Sequence, residues 1–317
     1  MDKVNIILCT YNGEKYLRVL LDSLLAQTYC NIDIYIRDDG STDNTPLILK
    51  EYENKTVNGI SIHLLWDNLG NLGYVKNFLQ IIRASGDADY YAFCDQDDYW
   101  LPDKIAHAVE VLQTKPSYKC LLYSSAYETR DTDLNFLRKG HVPTPLEKLD
   151  VGKALSLYDG GWLLGFTLVM NKTLKEKAFD NTVQKMYSHD IWVQAVAAGF
   201  GGELLYDERV GTYFRRHENT TSIAESNISR SFWIAWRYRW SELLGNGSMF
   251  TRLKESMVSY AELYQDKVQR KRDKLFLNCF GSQNGHHRLQ KLIYPYRLKQ
   301  SLLVELAWRL AIFLGKI

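Results

Sequence analysis

Three carboxylates crowd into four residues at Asp95, Asp97 and Asp98, directly after the apolar run Tyr90-Tyr91-Ala92-Phe93-Cys94. That run has the length and composition of a strand buried on both faces. Like charges this close repel one another, and spreading them along a solvated loop is the cheaper arrangement. Gathering them where a buried strand emerges makes sense if a cation sits there. A hard divalent ion such as Mn2+ or Mg2+ takes oxygen ligands, commonly one or two carboxylates plus substrate phosphates. The plainer alternative is an acidic turn before a helix, with Asp98 or Asp103 as its cap and Pro102 in its first turn.

Other polar clusters stand at comparable places. Thr10-Tyr11-Asn12-Gly13 interrupts a first strand, Val4 to Cys9, and Arg37-Asp38-Asp39-Gly40-Ser41-Thr42-Asp43 ends a second, Ile32 to Ile36. Ser188-His189-Asp190 opens a helix running from Ile191 to Ala198, and Arg215-Arg216-His217 forms a basic polar turn. Around Trp162, Gly160, Gly161 and Gly165 permit either close backbone approach of a ligand or a tight turn beneath a core Trp.

The elements that must carry these clusters alternate. Leu17, Leu20, Leu21, Leu24 and Leu25 recur at spacings of three and four and predict a helix between the first two strands. A helix over 45–52, a third strand over Ile60 to Trp66, a turn at Gly70–Gly73 and a helix over 74–84 lead into the acidic strand. A helix over 103–113 and strands at Cys120–Tyr123 and Phe166–Met170 follow, while 128–150, interrupted by Pro143 and Pro145, reads as a long loop. This cadence predicts an α/β fold, a Rossmann-like, mostly parallel sheet with helices on both faces. Ligands bind such sheets beyond the carboxyl ends of the strands. Thr10–Asn12, Asp38–Asp43 and Asp95–Asp98 all lie at those ends and should meet in one crevice.

Beyond about Glu225 the texture changes. Strand alternation disappears, and Trp233, Trp236, Trp240, Leu243 and Leu244 fall at helical spacing. The chain therefore divides into an α/β unit over 1–224 and a helical region of two or three helices over 225–317, either membrane-interfacial or oligomerising. Net charge is +2 over 317 residues, but Lys and Arg outnumber Asp and Glu 16 to 7 from Glu225 onward. That asymmetry suits an anionic partner, and lipid head groups fit better than nucleic acid because no recognition module is present. The five cysteines, Cys9, Cys30, Cys94, Cys120 and Cys279, are odd in number and widely spaced, which predicts reduced thiols in a cytoplasmic protein without a zinc site. No signal peptide is expected, because the chain runs straight into a strand.

Taken together, the Thr10–Gly13, Asp38–Asp43, Asp95-Gln96-Asp97-Asp98-Tyr99-Trp100, Ser188–Asp190 and Arg216-His217 motifs resemble the family 2 inverting glycosyltransferases of GT-A fold, over roughly residues 3 to 220. The Asp-Gln-Asp-Asp-Tyr-Trp form with His-Asp looks most like bacterial rhamnosyltransferases of capsule or cell-wall polysaccharide synthesis. The resemblance implies a donor that is a dTDP- or UDP-sugar, a glycan or lipid-linked acceptor, and Mn2+ or Mg2+ as cofactor. It implies that Tyr11 covers the nucleobase with Thr10 and Asn12 beside it, that Asp39 accepts from the pyrimidine N–H, and that Asp95 bonds the ribose with Gln96 and Lys76 also on the nucleotide. Asp97 would hold the metal, helped by His217, and Asp190 would be the general base. Asp98, Trp162, His189 and Arg216 would line the sugar or acceptor pocket. Without the family, Asp190 reads first as a helix-terminal carboxylate, and His217 equally as part of a solvated turn. Lys76 stands where the family often has Arg, and the Gln-x-x-Arg-Trp signature of processive synthases is absent, which predicts one transfer per encounter.

Two other function classes are weighed. A sugar-nucleotide nucleotidyltransferase needs a Gly-rich loop with Arg and Lys after the first strand, and that place holds Thr10–Gly13. A non-catalytic nucleotide-sugar-binding subunit has no use for Asp97 and Asp190 together. Finally, Ser301 to Gly315 is apolar on most of its circumference, with Glu305 and Arg309 one turn apart and Arg288, Lys291, Arg297 and Lys299 nearby. It is too short to span a bilayer and either lies in a membrane interface, at the inner face of the cell membrane, or packs on its own domain or a second subunit.

Overall fold

Side-chain alternation in the first strand sets up a two-faced sheet. The computed structural model describes residues 1–140, 149–157, 163–217, 248–282, 288–299 and 301–315. In chain order it has β1 (Val4–Thr10), α1 (Leu17–Leu25), β2 (Ile32–Asp38), α2 (Thr45–Tyr52), β3 (Thr56–Val57), β4 (Ile60–Leu64), α3 (Tyr74–Ala84), β5 (Tyr90–Cys94) and β6 (Tyr99–Trp100). Then come α4 (Lys104–Gln113), β7 (Leu121–Arg130), β8 (Phe136–Lys139), α5 (Val151–Leu155), β9 (Leu168–Asn171), α6 (Lys172–Ala178), α7 (His189–Gly199) and β10 (Glu203–Arg215). The remaining described helices are α8 (Ser248–Tyr264), α9 (Lys271–Phe280), α10 (Arg288–Leu292) and α11 (Leu302–Phe313).

The strands form one sheet in the order β3-β4-β2-β1-β5-β9-β7-β10-β6, with β8 on β7. β4, β2, β1 and β5 run parallel, so the sheet is α/β and mostly parallel at its centre. β9 inserts antiparallel between β5 and β7. Chain order reverses at β1, which has β2 on one side and β5 on the other, and such a reversal opens a crevice at the carboxyl ends.

Within β1, Ile6 and Leu8 face one apolar core and Ile7 the other. The first core packs the leucines of α1, Ile48 and Leu49 of α2, and Ile105 to Leu112 of α4 against the sheet. The second packs α3, α5, α6 and α7, and it also takes Phe250 and Tyr260 of α8, Phe276 of α9 and Trp308 of α11. The C-terminal helices therefore share an unbroken core with the sheet.

Two regions differ from the sequence expectation. β7 continues to Arg130 and pairs with β8, so 128–140 is a hairpin and not a loop. β10, along 203–215, is a strand whose register shifts at Asp207/Val210 and Val210/Thr212 hide the period-two pattern. Trp233 to Leu244, Trp162 and the prolines at 143 and 145 lie outside the described residues.

Candidate active site

The tips of β1 and β2 are stitched directly. Thr10 Oγ1 donates to Asp38 Oδ1 at 2.9 Å, and the Asn12 N–H donates to Ser41 Oγ at 2.8 Å. Asn12 has φ 48° and accepts from the Thr42 N–H, which returns the chain toward the crevice and leaves the Tyr11 ring exposed on its rim. Gln96 clamps the same loop, accepting from the Tyr11 N–H at 2.8 Å and donating to the Tyr11 carbonyl at 3.0 Å. Its amide thus fixes the Thr10–Gly13 loop at the rim of the crevice.

Asp39 lies buried below. Its Oδ1 accepts from Arg37 Nη1 at 2.9 Å and the Leu72 N–H at 2.8 Å, and its Oδ2 accepts from the Gly73 N–H at 2.9 Å. A carboxylate has about four acceptor positions, so one remains, on Oδ2. Arg37 is buried and also forks onto Asp67 at 2.8 and 2.9 Å and reaches Asn77. The sequence expectation gave it no role, although an arginine directly after Ile32, Ile34 and Ile36 is itself a signal. Lys76, one residue before Asn77, is exposed on α3.

Across the crevice, Asp95 follows the end of β5. Burial, then Asp97, then Asp190 push its carboxyl up to about 7. His189, the first residue of α7, packs on Phe93 of β5 at 4.4 Å, so the start of α7 lies beside the tip of β5. Asp190 accepts from the Ser188 hydroxyl and, at 2.9 Å, from the Ile191 N–H.

Asp97 Oδ2 sits 2.8 Å from His217 Nε2. The contact exists because β6 pairs antiparallel with β10, Tyr99 opposite Tyr213 and Trp100 opposite Thr212, and so draws the end of β10 over the acidic loop. Arg215 fixes it: its Nε donates to the Asp97 carbonyl at 2.9 Å and its guanidinium lies 4.6 Å from the Tyr16 ring, against which His217 also packs. Arg215 itself is buried and aimed inward. Arg216 is half-buried, and its backbone N–H donates to the Arg130 carbonyl at 2.8 Å.

Two residues expected in the sugar or acceptor pocket are elsewhere. Asp98 is fully buried, accepts from the Arg215 N–H at 3.2 Å, and its carboxyl is pushed up by burial and by Asp97 and Asp95. It braces β10 from below. His189 is buried against Phe78 at 3.9 Å and Phe93 at 4.4 Å, and burial lowers its pKa to about 4, so the ring is neutral. It is a wedge beneath Asp190. Lys104 was not anticipated: it is buried under the acidic loop, donates to Thr212 Oγ1 at 2.7 Å, and burial brings it down to about 7.

Asp97 and His217 together offer one oxygen and one nitrogen, both half-buried at the crevice. Among the described residues no group of three His, Cys, Asp or Glu side chains forms a metal cluster. A hard cation with few protein ligands completes its shell from water and substrate phosphate oxygens, so this donor pair fits an ion bound jointly with a diphosphate.

A sequence model described as Glycosyl transferase family 2 matches residues 5–185. The chain belongs to glycosyl transferase family 2. The match covers the β1, β2 and β5 tips; Asp190, Arg215 and His217 lie beyond it. Among relatives of this family 2 glycosyltransferase, the dTDP-rhamnosyl transferase RfbG of Shigella flexneri is 30% identical over 225 residues, 67% of this chain and 72% of that protein. The UDP-Glc:alpha-D-GlcNAc-diphosphoundecaprenol beta-1,3-glucosyltransferase WfaP of Escherichia coli is 27% identical over 247 residues, 75% of this chain and 90% of its own. In fold the chain is similar to S. aureus TarS residues 1–349 in complex with UDP-GlcNAc, with TM-score 0.53 at 16% identity over 99% of this chain and 89% of that one. It is likewise similar to the mannosyltransferase PcManGT of Pyrobaculum calidifontis in complex with GDP-Man and Mn2+, with TM-score 0.55 at 14% identity over 99% and 75%. The GT-A architecture and the glycosyltransferase identity expected from the motifs are thereby established.

Proposed function

We propose that this glycosyltransferase moves a sugar, with inversion, from a dTDP- or UDP-sugar to a hydroxyl of a glycan or lipid-linked acceptor in cell-surface polysaccharide synthesis. The sugar we assign is L-rhamnose. Support for the donor comes from the likeness to the dTDP-rhamnosyl transferase RfbG, and for a lipid-linked acceptor from that to WfaP. The observation that carries the reading is His189 packed on Phe93 of β5 at 4.4 Å, which sets the adjacent Asp190 near Asp95 and supports a base and a diphosphate site in one crevice.

Each side chain then has a task. Tyr11 covers the base, Asp39 accepts its N–H through the remaining position on Oδ2, and Asp95 bonds the ribose. Asp97 and His217 would hold Mn2+ or Mg2+, which when bound neutralises charge on the departing nucleoside diphosphate. Asp190 takes the acceptor proton as that oxygen forms its bond to the anomeric carbon. The bond from that carbon to the diphosphate oxygen breaks on the opposite face, and its electron pair leaves with the diphosphate. One displacement inverts the centre, and no covalent intermediate forms.

The test separates chemistry from binding. Asp190→Asn should lower transfer on the order of 10²–10⁴-fold, while UDP or dTDP with Mn2+ still raises the melting temperature of the variant. Wild-type turnover in Asp190→Asn removes the assignment of the base. A melting temperature raised by GDP and by neither pyrimidine nucleotide removes the assigned donor class.

A further inference from the structure

Arg37 has no hydrogen to spare. It stands in β2, directly before Asp38 and Asp39, and is 1% exposed. Its Nε and Nη2 fork onto the Asp67 carboxylate at 2.9 and 2.8 Å. Nη1 donates to Asp39 Oδ1 and to Asn77 Oδ1, each at 2.9 Å, and the second Nη2 hydrogen goes to the Gly70 carbonyl at 3.1 Å. All the donors of the guanidinium are thereby engaged, and its planar fork holds them in one geometry. The neighbouring turn has Gly70 at φ 64° and Gly73 at φ 76°, both left-handed, and it brings the Leu72 and Gly73 N–H groups onto Asp39. Arg37 thus ties β2, this turn and α3 around a single carboxylate.

What matters is which acceptor positions of Asp39 stay open. Oδ1 takes both Arg37 Nη1 and the Leu72 N–H, and so is full. Oδ2 takes only the Gly73 N–H and keeps one position. A single position on one oxygen suits a base that offers a single ring N–H. Uracil and thymine do so at N3, between two carbonyls. Guanine offers a ring N–H and an amino N–H side by side, and a carboxylate receives that pair only with a position free on each oxygen. Cytosine and adenine offer no ring N–H at that edge.

We infer that Arg37 is a positioning residue that sets base specificity: by closing Oδ1 of Asp39 it restricts the nucleotide to uridine or thymidine and turns guanosine away. Such selection works against the wrong ligand as much as for the right one. A guanine amino group driven toward Oδ1 meets no acceptor, and leaving a buried donor unpaired is more unfavourable than lacking the contact altogether. The inference rests on the pyrimidine nucleotide donor proposed above and adds the residue that selects it. Replacing Arg37 strands no charge in the interior. The Asp67 side chain is 21% exposed and accepts from the Leu69 N–H, and Asp39 keeps its two backbone donors.

The full chain with Mn2+ is titrated calorimetrically with UDP, dTDP, GDP and IDP, whose hypoxanthine keeps the ring N–H of guanine and lacks its amino group. Wild type should bind UDP and dTDP, and should bind IDP at least as tightly as GDP. In Arg37→Met a position on Oδ1 opens, so GDP should gain about ten-fold on IDP, the worth of one hydrogen bond to a charged group. The same variant should raise the KM of the sugar nucleotide that wild type turns over by about ten-fold, with the loss on KM and not on kcat, because Asp97 and Asp190 are untouched. Wild type that binds GDP more tightly than IDP overturns the inference without any variant. So does an Arg37→Met protein in which GDP gains nothing on IDP, or in which the loss falls on kcat. Wild type that binds neither UDP nor dTDP removes the pyrimidine donor and this inference with it. Wild type that binds them, with the purine ratio unmoved by Arg37→Met, removes this inference alone.

Discussion

At the scale of single residues, the site depends on groups that touch no substrate. His189 fills the space under Asp190 as a neutral ring with neither nitrogen hydrogen-bonded among the described residues. A Cβ on Gly165 would come within 2.8 Å of its Nε2, which explains a glycine there. The pKa of His189 falls from the ordinary 6.5 to about 4 on folding. A depressed base of this kind contributes stability above pH 6.5 and loses it as pH falls toward 4. Asp95 has the opposite slope, its contribution being present in acid and lost as pH rises toward 7. The comparison of wild type with His189→Phe cancels the Asp95 slope. Urea unfolding should show the advantage of the phenylalanine variant growing by about 3 kcal/mol between pH 6.5 and 4. A flat difference would mean that His189 charges freely in the folded state.

At the scale of elements, the decisive unit is the latch between β6 and β10. Strand β6 is only two residues long, yet it brings His217 to Asp97 and sets Arg215 over the acidic loop. Lys104 and Asp98 hold the latch from beneath through Thr212 and the Arg215 N–H. Arg215→Leu removes the clamp on the Asp97 carbonyl while leaving Asp97 and His217 in the chain. Groups that orient ligands in this way commonly change metal affinity on the order of 10–100-fold when replaced. The half-saturating Mn2+ concentration for transfer should therefore rise at least ten-fold, with recovery at high Mn2+. An unchanged Mn2+ titration would show that Arg215 does not position Asp97 and His217 for the ion.

At the scale of the whole molecule, the C-terminal helices belong to the catalytic core. Trp308 is buried in the same cluster as Trp192 of α7 and Leu155 of α5. Trp308→Ala should destabilise the entire protein by about 3–5 kcal/mol, seen as one cooperative calorimetric transition shifted down. A separate early transition, with the main one unmoved, would show that the helices fold on their own. The same arrangement leaves Leu302, Leu306 and Phe313 of α11 facing outward.

Much of this was legible along the chain because the relevant physics is local. Buried parallel strands are continuous apolar runs, and their polar tips mark the crevice, so Thr10–Asn12, Asp39 and Asp95–Asp97 could be grouped from order alone. What the sequence could not show was which neighbours consume a side chain's hydrogen bonds. Gln96 turned to the Tyr11 backbone, Asp98 to Arg215, and His189 to two phenyl rings. Those outcomes depend on contacts between residues far apart in sequence, Asp98 and Arg215 among them. A strand as irregular as β10 hides its alternation, and the pairing with β6 exists only after the sheet has closed. Residue types thus determined what chemistry was available, and tertiary packing decided which of those residues were left facing the crevice to perform it.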